Sequence, residues 1–159
     1  MGQSGAHINF TAFGTIEEHQ LGEVFRDDLN DKTYQYIYNN SATTMVVGCN
    51  QFHEYTTGYI TADTAGAAAV RNRPAGWAIS AIPYQSYGFI QTWGPHLGVV
   101  TNGDDDIAKG NWIVGASNVS GLCDSVAQGA FNSFEVFGTA MTEDVNGSNT
   151  VDAYCTILS

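Results

Sequence analysis

A mainly β fold, either a compact β-sandwich or a small β-barrel with an extended N-terminal arm, is what this sequence predicts, and three observations carry the expectation. Aromatic, Val and Ile residues come in short bursts separated by Gly, Pro, Asn and Asp across residues 76–126, the pattern of a meander of short strands and tight turns. Only 13% of the residues are charged, 43% are hydrophobic and 18 of 159 are glycine, a balance closer to a packed β-protein than to a helical bundle or a disordered acidic segment. No fixed-period repeat, coiled-coil heptad or long linker breaks the chain, so the strands are expected to close on one another within one domain.

Residues 1–20 hold Ile8, Phe10, Phe13 and Ile16 among Gly, Ser, Thr and His, too little apolar surface to bury as a unit. They read as an arm that gains order by lying on its own domain, on a neighbouring copy or on a foreign surface, with its aromatic residues as anchors; an ordinary edge strand is the alternative. The β-rich domain is expected over 21–159. It begins with a strand within 21–28, a turn at 29–32 and a strand at 33–38, where Tyr34, Tyr36 and Tyr38 recur at period two and so share one face. Such a tyrosine ladder serves cross-strand packing or forms a stacking platform for sugars or bases.

Asn39, Asn40 and Ser41 then form a turn, and 43–49 reads as an apolar strand. Residues 61–70 are rich in small side chains, and periodicity does not choose between a short helix and a closely packed loop. Arg71 and Arg73 precede Pro74 as the local cluster of positive charge, suited to a carboxylate at a subunit contact or to a solvated loop. Further strands are expected at 76–82, 88–93, 97–100, 112–116, 134–139 and 151–158. Turns fall at Pro83, Gly94-Pro95, Asn102-Gly103, Lys109-Gly110 and Asn146-Gly147.

Sixteen acidic residues against five basic ones give a formal charge of -11. The basic residues are too scattered to follow a phosphate backbone, so nucleic acid is not an expected partner. Cys49, Cys123 and Cys155 are odd in number and widely spaced, fitting neither a disulfide framework nor a zinc site, and are expected to be small buried thiols. The first residues carry no cationic stretch leading into an apolar one, and no apolar run nears the ~18 residues that span a bilayer. The expectation is a protein made in the cytoplasm and not inserted in a membrane; its Met-Gly start has no second anchoring signal.

Candidate chemistry is sparse. Asp104, Asp105 and Asp106 offer oxygen ligands to a hard cation, without EF-hand spacing, and otherwise form a solvated acidic turn. His7, His19, His53 and His96 stand alone, outside any metal-binding helix motif. There is no nucleophile elbow, P-loop or dinucleotide fingerprint. Sequons at Asn9, Asn39, Asn118 and Asn146 matter only in a secreted eukaryotic protein. Two acids that meet in space to cleave a glycoside leave no local signature, which keeps a carboxylate-based hydrolase as a third reading.

The segment GWAISAIPYQSYGFIQTWGP, followed by VVTNGDDDIAKGNWIVGAS, resembles virion structural proteins of tailed bacteriophages, in particular small capsid decoration (cement) proteins. The elements that carry the resemblance are Ala81, Ile82, Pro83, Tyr87, Gly88, Ile90, Gln91 and Gly94, then Gly103, Asp104, Gly110, Ile113, Val114 and Ser117. It spans 21–158, leaves the first twenty residues unmatched and departs from the pattern at Asn111 and Trp112. The resemblance implies a protein on the outer face of an icosahedral head, trimeric, bridging neighbouring capsomers. Its expected partners are the major capsid protein and two further copies of itself, with no catalytic residue, metal or cofactor.

On that reading Phe10, Phe13 and Phe25 are the expected anchors, and Arg71 and Arg73 the polar contacts. The alternative is a glycan-binding module on a virion or cell surface, using Tyr34, Tyr36, Tyr38, Trp77 or Trp93 as stacking rings.

Overall fold

Successive side chains of a strand point to opposite faces, and the segment from Tyr34 to Tyr38 uses both. Tyr34 and Tyr36 pack on one side with Phe89, whereas Ile37 packs on the other with Met45, Ala75, Ala78, Ile82 and Ile90. A third core gathers Trp77, Val99, Ile107, Ile113, Phe137 and Val151 with the thiols of Cys123 and Cys155. The structure, a computed structural model, describes residues 8–53, 60–62, 74–103, 106–115, 122–127, 136–144 and 149–157.

Ten strands occur among these residues: β1 (Val24–Asp27), β2 (Lys32–Asn39), β3 (Asn50–His53), β4 (Ile60–Ala62), β5 (Pro74–Ala78), β6 (Tyr87–Val100), β7 (Trp112–Gly115), β8 (Cys123–Val126), β9 (Val136–Ala140) and β10 (Thr150–Thr156). They form one sheet in the order β1-β2-β4-β3-β5-β6-β10-β9-β7-β8, antiparallel except for the parallel pair β2–β4. An additional antiparallel pairing, β2 with β6, brings the first half of the sheet back on itself around the core that contains Ile37 and Ile90. The second half runs out to β8, so the sheet as a whole is not closed into a barrel. The mainly β fold is the predicted one; its form is one large curled sheet in place of two packed layers. Among the described residues no helix is long and apolar enough to cross a membrane.

Strand β6 organises both halves. Residues 87–93 pair with β2, residues 90–91 with β5 and residues 93–100 with β10. Gly94-Pro95 is therefore not the predicted turn: the pair sits inside the strand, opposite Cys155 and Tyr154. Gly94 has φ +94°, and a Cβ there would strike the Asp31 carbonyl oxygen, so only glycine lets β6 pass the β1–β2 turn at this point. The buried Gln91 side chain supports the bend. Its Nε2 reaches the carbonyl oxygens of Trp93, Gly94 and Pro95 at 3.1, 3.0 and 3.0 Å. Gln91→Leu keeps the volume but removes these donors, and is expected to lower unfolding stability by about 2 kcal/mol in urea titration; a loss below the error of the titration would show that the ladder alone sets the bend.

Segment 43–49, predicted as a strand, is an irregular stretch. The fully buried Asn39 carboxamide donates to the Thr43 and Ile82 carbonyls at 2.9 and 2.8 Å, and the Met45 N–H donates to Ile82 O. These bonds draw the segment onto the turn before β6 and leave Val46 and Val47 exposed. Cys49, Cys123 and Cys155 are free and buried; burial pushes the Cys155 thiol up to about 12 and the Cys123 thiol up as well, so both stay protonated at neutral pH. Expectations on His7, on 63–70, on Asn118 and on Asn146-Gly147 lie outside the described residues.

Candidate functional site

The residues that gather functional character lie where the N-terminal segment crosses the tyrosine face of β2 and β6. Antiparallel pairing sets Tyr36 opposite Phe89 and Tyr38 opposite Tyr87, which assembles an aromatic surface from two period-two runs. Phe10 stacks on Tyr34 with ring centroids 4.2 Å apart and meets Phe89 edge-on at 5.4 Å. Phe25 packs on Phe89 at 5.5 Å, and His19 stands edge-on to Phe25 at 5.0 Å and to Tyr36 at 5.1 Å. The predicted arm thus lies on its own domain from residue 8 onward.

Backbone bonds pin it there. Gly14 and Tyr87 exchange N–H···O bonds of 3.1 and 2.7 Å, and the Glu18 N–H donates to the Tyr36 hydroxyl at 3.1 Å. Around these two attachments the strap does not seal against the sheet. A half-open groove of about 280 Å³ remains, lined by Ile8, Asn9, Ala12, Phe13, Gly14, Glu18 and His19 of the strap and by Tyr36, Tyr87 and Phe89 of the sheet. Burial raises the Tyr36 hydroxyl above its ordinary pKa; the Glu18 N–H bond opposes the rise in part, and the Glu18 and Glu17 carboxylates add to it.

The predicted contact residues separate here. Phe10 and Phe25 are part of the aromatic cluster and spend their ring surface within the chain. Phe13 projects from the strap, 52% exposed, with Ile16 nearby at 76%. Arg71 and Arg73 lie outside the described residues. Of the rings proposed for stacking on glycans, Tyr34, Tyr36 and Trp77 are buried, and the tyrosine ladder serves cross-strand packing. Only Tyr38 and Trp93 keep partial exposure.

Of the lone histidines, His53 lies in β3 opposite Thr61, and the contacts of His19 and His96 bear on the aromatic clusters. His19 lines the groove and has its Nδ1 3.9 Å from the Glu23 carboxylate. His96, in β6 opposite Ala153 of β10, is buried beside Trp77. Its Nδ1 is 3.1 Å from Gln91 Oε1, and because Gln91 Nε2 serves three carbonyls, Oε1 is the acceptor and Nδ1 carries the proton. Of the acidic triplet, only Asp106 is described, and it is exposed. Among the described residues no three His, Cys, Asp or Glu side chains gather as a metal site.

Sequence reasoning named the Tyr36 wall, met Tyr87 only as an element of the resemblance and His19 only as a lone histidine, and missed Phe89 and Glu18. Tyr87 and Phe89 were legible as a second period-two aromatic run; the two strap residues carry no signal until the strap is folded down. Compared with models of known protein families, with curated proteins and with solved structures, the chain matches none.

Proposed function

We propose that this chain is a capsid decoration (cement) protein of a tailed phage. On this reading it acts without catalysis, sits as a trimer on the outer face of the head, and bridges copies of the major capsid protein through its strap face. The reading rests on the resemblance of 76–117 to such proteins, and the observation that supports it best is the two-sided strap. Its inward residues, Ile8 and Phe10, are committed to the sheet, while Phe13 and Ile16 are left facing outward from a segment already held in place. Presenting apolar side chains on a pre-ordered segment lowers the entropy cost of docking, and repetition over a lattice turns weak single contacts into firm attachment. An acidic surface suits a position away from the packaged DNA.

The test is co-sedimentation with expanded, undecorated heads, with the free oligomeric state measured by light scattering. Saturable binding in multiples of three is expected. Phe13→Ala with Ile16→Ser is expected to weaken it about tenfold or more, the usual effect of truncating central apolar contacts, without altering the fold. Heads that leave the protein in the supernatant at saturating concentration would refute the proposal.

A further inference from the structure

The groove is unlike an ordinary gap between packed rings, because its wall combines aromatic faces with a carboxylate. Tyr36, Tyr87, Phe89 and the half-exposed Phe13 provide ring surface, and Glu18 stands among them. Glu17 adjoins it in the strap sequence. Both glutamates are exposed, and among the described residues neither is in an ion pair. Among the described residues no lysine or arginine lines the groove.

We infer that this groove receives the cationic head of a lysine or arginine side chain presented by a partner protein, with the rings stacking on its stem, Glu18 facing its charge and Glu17 adding negative charge from the adjoining position. Size and chemistry select this occupant. At about 280 Å³ the space lies at the small end of ligand sites and suits one long side chain. An anion would meet Glu18 and a chain charge of -11. A purely apolar group would bury the carboxylate without compensation. A bare metal ion would find Glu18 and His19 but no third His, Cys, Asp or Glu among the described residues to complete a ligand set. A basic side chain satisfies both parts of the wall: its methylenes lie on apolar surface and its charge meets ring quadrupoles and carboxylates. Identifying the partner with the capsid protein rests on the decoration reading; the cation preference of the groove does not.

The test separates the two. The full chain, labelled with ¹³C in its aromatic rings, is titrated with N-acetyl-lysine methylamide and, separately, with the uncharged N-acetyl-norleucine methylamide. The lysine probe is expected to shift Tyr36, Tyr87 and Phe89 resonances saturably, and the norleucine probe to shift them far less. Glu17→Gln with Glu18→Gln, two exposed positions, is expected to weaken the lysine probe about fivefold. Equal response to the two probes, or a response of the charged one that ignores the double substitution, overturns the inference. The same variant is then sedimented with heads. Reduced head binding assigns the cation to the capsid, whereas unchanged head binding with a responsive groove overturns that assignment and leaves decoration to stand on Phe13 and Ile16.

Discussion

Trp77→Ala is expected to destabilise the protein by about 4 kcal/mol, the upper range for emptying a large aromatic site in a core. Trp77 has no exposed surface. Its strand, β5, is held on both edges, with Trp77 opposite Asn50 of β3 and opposite Gln91 of β6. The ring lies near-parallel to Phe137, 6.2 Å away, and 5.4 Å from His96. Gly138 is bare beneath it because a Cβ there would stand 3.0 Å from the indole Cη2 and collide with the Tyr154 carbonyl. The neighbours of the vacated space are thus backbone of β9 and β10 and side chains anchored by their own ladders, which cannot slide in to fill it. Urea unfolding at neutral pH, read as a shift in midpoint at constant slope, measures the loss; a value under about 1 kcal/mol would mean that Trp77 is not at the joint between the curled half and the outer half of the sheet.

The second large effect is an acid-side loss of stability governed by His96. Burial, with the Lys32 charge adding to it and Asp152 partly opposing, lowers its pKa from 6.5 to about 4. In the unfolded chain the imidazole takes a proton at about pH 6.5; in the fold it does not until about pH 4. Stability from this residue is therefore complete above pH 6.5 and falls as the pH drops through the window to about 4. Each unit is worth about 1.4 kcal/mol, so the whole window amounts to about 3 kcal/mol. The bonding explains why the fold resists the proton: Nδ1–H already donates to Gln91, and Nε2, buried with no partner among the described residues, has no acceptor to offer a second N–H. Denaturation at pH 7, 5.5 and 4 compares the wild type with His96→Gln, since carboxylates titrate alike in both. The variant is expected to start less stable and to lose less between pH 7 and 4; parallel slopes would remove His96 from the account.

The strands that could be read in advance are those whose side-chain pattern is decided locally. Period two around Tyr34–Tyr38, the Trp-Ile-Val run that opens 112–116 and the run at 151–158 with Val151, Tyr154 and Ile157 specify β2, β7 and β10 within a residue or two. The missed or misread elements depend on partners distant in sequence. Nothing local marks Asn50–His53 or Ile60–Ala62 as strands; β3 and β4 exist because β5 and β2 offer them ladders. Gly94-Pro95 is ordinary turn chemistry, overridden here by the pairing of 93–100 with β10 and by a glutamine three residues upstream. The groove shows the same division. Its sheet wall follows from two aromatic alternations, while its strap wall depends on Gly14 meeting Tyr87 across seventy-odd residues, as do the different fates of Phe10 and Phe13.

The place of β10 has a further consequence, for the order in which the molecule can be built. Among the described strands it is the last in the chain, yet it lies in the middle of the sheet, between β6 and β9. A ribosome delivers β1 to β6 first, and these can curl together, but β7, β8 and β9 have no ladder to β6 until β10 is inserted. Assembly is then a late insertion, with open edges on both sides of the gap and loop-closure entropy still to be overcome. During that interval the chain's strong negative charge is what keeps the waiting edges of different copies apart.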